Sequence, residues 1–320
     1  MRAVVLEEVG SLAEREVPDP EPGPGEVLVE VGACGVCGTD LQIFQGDLPS
    51  RRRPVILGHQ VAGRIAGTGE RVGVAWLHGA DGTCPACRRG LENLCPNAEF
   101  TGWTTDGGYA ELVCARRDFV FPLPAGFGDV EAAPLLCAGI IGYRSLRLSG
   151  AEAGGRLGLF GFGSSAHLAI QVALHWGCEV AVFTRSETER ALALRLGAAW
   201  AGGYDDPAPW PLDAAVTFAP AGSVVVSALA ALAPGATVAV NAIHLDGMPA
   251  FDYDLLWGER SIRSVANFTR ADATAFLALA AEIPIRAQVQ EFSLAAAGEA
   301  LGRLAAGGIS GSAVLLVGPA

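Results

Sequence analysis

The sequence has 320 residues, of which 51% are hydrophobic and 18% are charged, so it can bury a sizeable core and is not a disordered chain. All 22 of its cationic side chains are arginine, and 34 acidic residues bring the net charge to −12. An acidic chain whose longest basic run is residues 51–53 is not expected to bind nucleic acid. The length indicates two domains of ordinary size.

Compartment and topology follow from a few segments. The first residues lack the basic and long apolar regions of a secretory signal. The uncharged stretch 214–240 is interrupted by Pro220, Gly222, Pro234 and Gly235, so it predicts strands, a helix and turns rather than a membrane span. Eight clustered cysteines suit metal ligation in a reducing compartment better than a disulfide framework. We therefore expect a cytoplasmic protein.

In chain order, the first part of the sequence predicts short strands separated by Gly and Pro, for example at 27–31, 61–65 and 109–113. From about residue 129 onward, helical patterns such as 167–176 and 188–196 alternate with apolar strands. These apolar strands are predicted at 157–160, 180–183, 214–217 and 237–240. Such alternation is typical of a parallel, doubly wound sheet in an α/β protein. From about residue 271 we expect one helix and then strands, including 313–317.

A glycine-rich turn lies between the first of these apolar strands and the helix that follows. Gly161, Gly163 and Ala166 match the G-x-G-x-x-G/A fingerprint, in which backbone amides approach a dinucleotide pyrophosphate at the start of a helix. After the next strand the chain has Thr184 and Arg185, where an NAD site usually has a carboxylate. We therefore expect NADP(H) rather than NAD(H), the alternative being that Arg185 is a solvated surface residue.

A turn-rich segment contains Cys84, Cys87 and Cys95, and this spacing suggests a closed structural zinc site. Asp81, three residues before Cys84, is the candidate for the fourth ligand. The alternative is a group of free, buried thiols.

Other cysteines and one histidine are dispersed, and their spacing alone does not assemble a site. Cys37 lies in Cys-Gly-Thr-Asp, His59 follows Gly58, and Cys137 lies in an apolar segment. Two thiolates and an imidazole would leave a fourth zinc position open, as in catalytic sites. Cys34, Cys114 and Cys178 are interpreted as core residues.

Taken together, these motifs resemble the zinc-dependent alcohol dehydrogenases of the medium-chain dehydrogenase/reductase superfamily over essentially the whole chain. The bacterial enzymes that act on simple primary alcohols and aldehydes are the most similar. The matching segments are residues 37–40, 58–59, the Cys84, Cys87 and Cys95 group, 106–111, 135–139, the nucleotide fingerprint and 264–270.

The resemblance implies a GroES-like catalytic domain at 1–133, completed by 271–320, and a Rossmann domain at 134–270. Cys37, His59 and Cys137 would then hold the catalytic zinc. The resemblance further implies that Thr39 hydrogen-bonds the substrate oxygen and that Asp40 orients His59.

Arg270 matches a position that often contacts the cofactor diphosphate. Trp76 and Trp103 are interpreted either as walls of the substrate pocket or as core residues. Relatives of this kind are commonly dimers or tetramers, so we expect a homo-oligomer.

Three residues depart from the family pattern. Gln60 stands where a glutamate usually follows the zinc-binding histidine, and Gln42 lies where close relatives often carry the histidine of a proton relay. Asp81 occupies the position of a cysteine in the structural site. The two glutamines put turnover in question rather than the fold.

The predicted function is hydride transfer between a primary alcohol or aldehyde and NAD(P), with catalytic and structural zinc. One alternative is a zinc-free quinone or enoyl reductase of the same superfamily, although retention of Cys37, His59 and Cys137 argues against it. The other is a nucleotide- and zinc-binding protein with weak or no turnover, which the two glutamines motivate.

Overall fold

A computed structural model of the chain describes residues 1–49, 51–283 and 285–318. It divides into two compact units, one formed by Met1–Ile140 and Asn267–Ala320, the other by Ile141–Ala266. The sequence prediction places these boundaries at 133/134 and 270/271, so the structure has the first crossing 7 residues later and the second 4 residues earlier. The first crossing falls inside a helix, Ala138–Ser149, whose continuous backbone belongs to both units.

The amino-terminal part of the first unit is rich in short strands. Its strands are β1 (Arg2–Glu8), β2 (Ser11–Glu16), β3 (Glu26–Val36), β4 (Val55–Ile56), β5 (Val61–Ile65), β6 (Arg71–Val74), β7 (Leu77–Gly79), β8 (Glu99–Phe100), β9 (Leu112–Arg116) and β10 (Val120–Pro122). Its helices are α1 (Gly38–Gln45), α2 (Pro85–Arg88) and α3 (Asp129–Ala132), and α4 (Ala138–Ser149) leads into the second unit.

Strands and helices alternate in the rest of the chain. The second unit contains β11 (Arg156–Phe160), α5 (Ser164–His175), β12 (Glu179–Phe183), α6 (Glu187–Leu196), β13 (Trp200–Gly202), β14 (Leu212–Thr217), α7 (Gly222–Ala230), β15 (Leu232–Val240) and β16 (Ser261–Ser264). The chain then returns to the first unit with α8 (Arg270–Glu282), β17 (Val289–Ser293), α9 (Ala297–Ala305) and β18 (Ser312–Leu316).

The second unit is built on a parallel six-stranded sheet in the order β13-β12-β11-β14-β15-β16. This order confirms the predicted doubly wound sheet, in which a nucleotide site lies beyond the carboxyl ends of the strands at the reversal of strand order. The order reverses between β11 and β14, which pair in parallel. On the other side of β11, Phe160 and Phe183 end β11 and β12 in register, and their rings stack 4.1 Å apart, which fixes these two strand ends side by side.

The first unit contains a seven-stranded sheet in which β3 is the central strand. The order is β10-β6-β5-β3-β18-β17, and β9 also pairs with β3. Ala313 of β18 pairs with Val36, the last residue of β3, so the late strand lies directly beside the chain that enters the Cys37 segment. The valines Val29, Val31 and Val36 of β3 and Val61 of β5 are buried.

Two predictions about elements of the first unit are wrong. A second helix, α9, follows α8 after residue 271, because the Ala-rich segment that continues to Ala305 buries one face formed by Ala297, Ala300 and Leu301. The strand expected at 109–113 begins only at Leu112. Tyr109 instead donates its backbone N–H to Leu57 and accepts from Val4, so it is tied to a loop and to β1.

Among the described residues, no helix has both the length and the apolar character needed to cross a membrane.

Candidate zinc and nucleotide sites

Cys37 caps the amino-terminal end of α1. Its Sγ accepts a hydrogen bond from the backbone N–H of Thr39 at 3.3 Å, and its own N–H donates to Asp40 Oδ2 at 2.9 Å. This reciprocal capping box places the sulfur at the positive end of the helix, where a thiolate is stabilised.

Two further ligand atoms converge on this sulfur. His59 lies between β4 and β5, is fully buried, and has its Nε2 3.2 Å from Cys37 Sγ. Cys137 lies between α3 and α4, and the ligand atoms of the three residues lie within 4.8 Å of one another. The structure therefore brings together three residues that are 22 and 78 positions apart in sequence.

This donor set fits a zinc ion. With Zn–S bonds of about 2.3 Å and Zn–N bonds of about 2.0 Å, tetrahedral ligand atoms lie roughly 3.5–3.8 Å apart, which is compatible with the spacing found here. Two sulfurs and one nitrogen fill three of the four positions, so an oxygen ligand could take the fourth.

Asp40 holds the histidine in place. The Oδ1 atom of this fully buried carboxylate accepts from the Gly58 N–H at 3.2 Å and lies 3.1 Å from His59 Nδ1. When Nδ1 carries the proton and donates it to Asp40, Nε2 is unprotonated. Its lone pair then faces Cys37 and can ligate a metal ion. This contact supports the orienting role of Asp40, which stays a prediction.

The pKa values of the trio reflect its crowding. The hydrogen bond from the Cys137 thiol, aided by the charge of His59, lowers the pKa of Cys37 to about 5 despite burial. The pKa of Cys137 is raised by the same pairing and by burial. Burial lowers the pKa of His59, but the nearby Cys37 and Asp40 charges outweigh it and raise the pKa overall. The lowered pKa of Cys37 favours its thiolate, which is the form that ligates zinc.

The two glutamines belong to the chain segments that carry Cys37 and His59. Gln60 is buried and packs against Gly35 so closely that a Cβ atom there would lie 2.8 Å from its side-chain Cδ. Gln42 is on α1, one turn after Thr39, and is partly exposed. Thr39 itself is nearly buried, with its amide on Cys37.

An aromatic cluster lines the histidine. Trp76 meets the His59 ring edge-on at 4.8 Å and stacks on Trp103 at 5.7 Å and on Phe100 at 5.2 Å. Arg51 covers the outer face of Trp103 at 4.7 Å. Trp76 is buried and Trp103 is partly exposed, so the cluster runs from the imidazole towards solvent.

The second group of ligands is the predicted structural zinc site, and we call the segment 81–95 that carries it the zinc lobe. The ligand atoms of Asp81, Cys84, Cys87 and Cys95 also lie within 4.8 Å of one another. Asp81 Oδ1 accepts the Thr83 and Cys84 N–H groups at 2.8 and 2.9 Å, and its Oδ2 accepts from Asn97 at 2.9 Å. These bonds hold the pKa of Asp81 well below its usual range, so the carboxylate is charged and able to ligate zinc.

The cysteines expected in the core are not all alike. Cys34 and Cys178 are buried, and burial raises the pKa of both thiols. Cys114 is only partly buried, because its side chain is on the face of β9 that also carries partly exposed Leu112 and Arg116. The interpretation of Cys114 as a core residue is therefore wrong.

The glycine turn has the geometry that a pyrophosphate needs. Gly161 adopts φ +90°, and a Cβ atom there would lie 2.9 Å from the Ala219 nitrogen, so a larger residue does not fit. Gly163 precedes the first residue of α5, and a Cβ atom there would have nothing within 4 Å, which leaves the helix start open. Ala166 is fully buried against the sheet. The turn can therefore receive a dinucleotide.

A carboxylate of α6, which the sequence analysis did not identify, lies at the end of β12. Thr184 donates its hydroxyl to Glu189, which reaches back from the first turn of α6. The Ser-x-x-Glu pattern at 186–189 is typical of a capping box, in which the glutamate bonds to the Ser186 backbone rather than to Thr184. Arg185 is exposed, and Arg190 donates to its carbonyl at 3.1 Å, so two guanidinium groups lie near this strand end.

Arg270 is the first residue of α8. Its backbone N–H and its Nε donate to Glu92 Oε1 at 2.9 and 3.4 Å. Sequence reasoning singled out Arg270 but not Glu92. No local pattern could have identified Glu92, because the two residues are 178 positions apart.

Comparison with known proteins decides the family. Residues 23–125 match the alcohol dehydrogenase GroES-like domain, and residues 166–282 match the zinc-binding dehydrogenase domain. A probable alcohol dehydrogenase, AdhA, of Mycobacterium tuberculosis is 51% identical over 313 residues, which cover 93% of this chain and 90% of that protein. The chain belongs to the zinc-binding alcohol dehydrogenases.

Further relatives agree with this family. An alcohol dehydrogenase of Geobacillus stearothermophilus is 34% identical over 98% of both chains. Among solved structures, a cinnamyl alcohol dehydrogenase of Sorghum bicolor superposes with a TM-score of 0.91 at 27% identity, covering 98% of this chain and 97% of that one.

Family membership confirms the predicted fold class, a GroES-like domain with a Rossmann domain, and the predicted activity. The chain is an oxidoreductase that transfers a hydride between an alcohol or aldehyde and a nicotinamide cofactor. A zinc-binding dehydrogenase is thus established at the level of the family, and the roles of individual residues follow as proposals.

Proposed function

We propose that Cys37, His59 and Cys137 hold a catalytic zinc ion and that Thr39 exchanges a proton with the substrate oxygen. The convergence of the three ligand atoms within 4.8 Å, with a buried carboxylate behind the histidine, supports this assignment. A zinc ion held there supplies a Lewis acid that polarises an alcohol or aldehyde oxygen. The substrates are primary alcohols and aldehydes.

The chain's own residues have distinct parts in the proposed reaction. Asp40 keeps the proton on His59 Nδ1, so the ring stays in one orientation through the cycle. In the oxidation direction Thr39 Oγ1 accepts the substrate hydroxyl proton as its own proton passes on to solvent, and the reduction direction reverses both transfers. Because Gln42 cannot ionise, the proton then leaves without an imidazole carrier. Trp76 and Trp103 form the apolar wall that excludes water and receives the substrate's carbon chain.

We also assign Asp81, Cys84, Cys87 and Cys95 to a structural zinc ion. Four ligands close this site to substrate, in contrast to the three of the catalytic group. Thiolate ligands must stay reduced, which supports the expectation of a cytoplasmic enzyme. The homo-oligomer, dimer or tetramer, stays a prediction.

For the cofactor, we propose a preference for NADP(H) over NAD(H), with Gly161, Gly163 and Ala166 receiving the diphosphate. The contact of Arg270 with the cofactor stays a prediction. Arg185 supports the preference because a guanidinium is suited to a 2′-phosphate. Arg190 adds a second positive charge nearby. We assign Thr184 to the ribose. Because its hydroxyl proton is donated to Glu189, its oxygen is left as an acceptor for a ribose hydroxyl.

Elemental analysis with an activity assay tests the assignment. We expect two zinc ions per chain, one for each ligand group, and oxidation of NADPH when butanal is added. Cys37→Ser should lose one zinc ion and all activity while keeping its fold, because it removes one ligand of the three-ligand site. Cys114→Ser, which alters a thiol outside both groups, is the matched control and should keep both.

Three other outcomes would contradict the catalytic assignment or favour one of the alternative functions. Full activity in Cys37→Ser contradicts the catalytic assignment. Two zinc ions without turnover on a panel of alcohols and aldehydes favour the binding protein with weak turnover, and no zinc in active protein favours the zinc-free reductase.

A further inference from the structure

The aromatic cluster beside His59 ends at a cation. From the imidazole, the Trp76 ring follows at 4.8 Å and the nearly parallel Trp103 ring at a further 5.7 Å. The guanidinium carbon of Arg51 lies 4.7 Å from the centre of the Trp103 ring, whose Nε1–H donates to the Pro49 carbonyl at 2.9 Å. All of these residues belong to the first unit. A continuous apolar wall therefore leads from the imidazole to a positive charge.

The charge of Arg51 has no partner of its own. Among the residues that the structure describes, Arg51 makes no ion pair or hydrogen bond, whereas its neighbour Arg52 pairs with Asp106 at 3.0 Å. Stacking on an indole ring uses the face of a guanidinium and leaves the N–H groups around its edge available. The ring also restricts a long side chain, so less conformational freedom is lost when a ligand binds.

The position of this cation is notable in so acidic a protein. The net charge is −12, and the longest basic run of the sequence, residues 51–53, stands at the solvent end of the aromatic cluster. An anionic molecule is repelled by most of such a surface and attracted only where cations are concentrated. A neutral aldehyde gains nothing from a cation at this place, but a substrate with a remote anionic group gains a charge-assisted hydrogen bond.

We propose that the preferred substrates are aldehydes or alcohols with a carboxylate at the end remote from the reacting carbon, which Arg51 binds while their chain lies along Trp76 and Trp103. This inference rests on the proposed function, in which the reacting oxygen is bound at the Cys37 group. A planar guanidinium presents two parallel N–H groups to a carboxylate. Since this contact is remote from the reacting atoms, it stabilises ground state and transition state alike and lowers KM rather than raising kcat.

The test compares ω-oxo carboxylates of six, eight and ten carbon atoms with the unbranched aldehydes of the same length, at saturating NADPH. In the unaltered protein we expect a lower KM for the oxo acid than for the aldehyde at the chain length that reaches Arg51. Arg51→Met keeps an apolar stem against Trp103 but removes the charge. It should raise the KM of that oxo acid relative to its aldehyde by roughly three- to tenfold, the size expected for a charged hydrogen bond open to water.

Arg53→Met is the matched control. It removes an exposed cation of the same basic run that, within the described part of the chain, stacks on no aromatic ring. The KM ratio of oxo acid to aldehyde should stay as in the unaltered protein. Added salt is a second readout, because it screens exposed charges: it should raise the KM of the oxo acid in the unaltered protein and have less effect in Arg51→Met.

The outcomes separate the inference from its premise. If neither series oxidises NADPH, the proposed function fails and this inference fails with it. If the aldehydes are turned over but the KM ratio in Arg51→Met equals that of the unaltered protein at every chain length, only the substrate class is overturned. An equal change in Arg53→Met would also overturn it, since the effect would then come from the general charge of the run and not from the stacked guanidinium.

Discussion

Asp40 shows how much of the site depends on one residue. Its carboxylate has no exposure to solvent and accepts N–H groups from Cys37 and Gly58 as well as contacting His59 Nδ1. A carboxylate can serve all three donors because both of its oxygens are acceptors, whereas an amide has only one acceptor atom. This requirement explains why the residue is an aspartate and not an isosteric asparagine.

Asp40→Asn should therefore weaken zinc binding at the Cys37 site by about 10- to 100-fold, the usual effect of losing a group that orients a ligand. The measurement is competition with a chromophoric chelator. Asp47→Asn, an exposed change just beyond α1, is the control and should bind zinc normally. Unchanged zinc affinity in Asp40→Asn would show that His59 does not need its carboxylate.

Arg185 provides a second prediction for a single residue. Replacing it with alanine should weaken NADPH by about 1–2 kcal/mol more than NADH, because a charge-assisted bond to a 2′-phosphate is lost. The measured quantity is the ratio of the two KM values. Arg195→Ala, an exposed change at the other end of α6, should leave the ratio unchanged. An unaltered ratio in Arg185→Ala would make Arg185 a surface residue.

At the scale of elements, α5 contains a histidine that never meets solvent. Burial lowers the pKa of His167 from its ordinary 6.5 to about 4, against the opposing effect of the Gly163 and Ser164 carbonyls. The unfolded chain therefore binds a proton between pH 6.5 and 4 that the folded chain excludes. The contribution of neutral His167 to stability is complete above pH 6.5 and is lost as the pH falls towards 4.

His167→Gln should accordingly flatten the fall in Tm between pH 7 and pH 4.5, by an amount that corresponds to at most about 3 kcal/mol. His175→Gln changes an exposed histidine at the end of the same helix and should follow the unaltered protein. Parallel curves for all three proteins would mean that His167 is not buried in its neutral form.

The zinc lobe is an element of a different kind, since α2 has only four residues and none of them is buried. A segment without a core of its own depends on its metal for structure. Removing zinc with a chelator should make trypsin cleave after Arg88 or Arg89 at least about tenfold faster, because both arginines are exposed and local unfolding frees the backbone. Cleavage after Arg263, in β16, is the internal control. Equal rates at Arg88 before and after chelation would contradict a structural zinc ion.

At the scale of the whole molecule, the second unit was the more predictable part. Its apolar strands and helices repeat at short range, so the strands at 157–160, 180–183 and 214–217 lie within β11, β12 and β14. The first unit depends on pairings between distant segments, and there α9 and the start of β9 were missed. Periodicity describes the local chain and says little about which segments meet.

The same distinction applies to the site. The Cys84–Cys87 spacing and the glycine turn are local patterns that could be identified from the sequence alone. Cys37, His59 and Cys137 come together only through the fold, so a family resemblance was needed to connect them. Glu92 and Glu189 act through contacts that neither spacing nor resemblance indicated.

The position of β18 beside β3 has a consequence for how the protein is made. The ribosome synthesises β3 and the Cys37 segment first, then the whole of the second unit, and only afterwards the strand that pairs with Val36. At about 5–20 residues per second, the nascent chain carries an incomplete sheet for roughly tens of seconds. Through that interval the apolar edge of β3 is open to chaperones or to wrong partners, and the parallel sheet can fold before it. Completion of the catalytic unit therefore has to wait until the whole of the second unit has been synthesised.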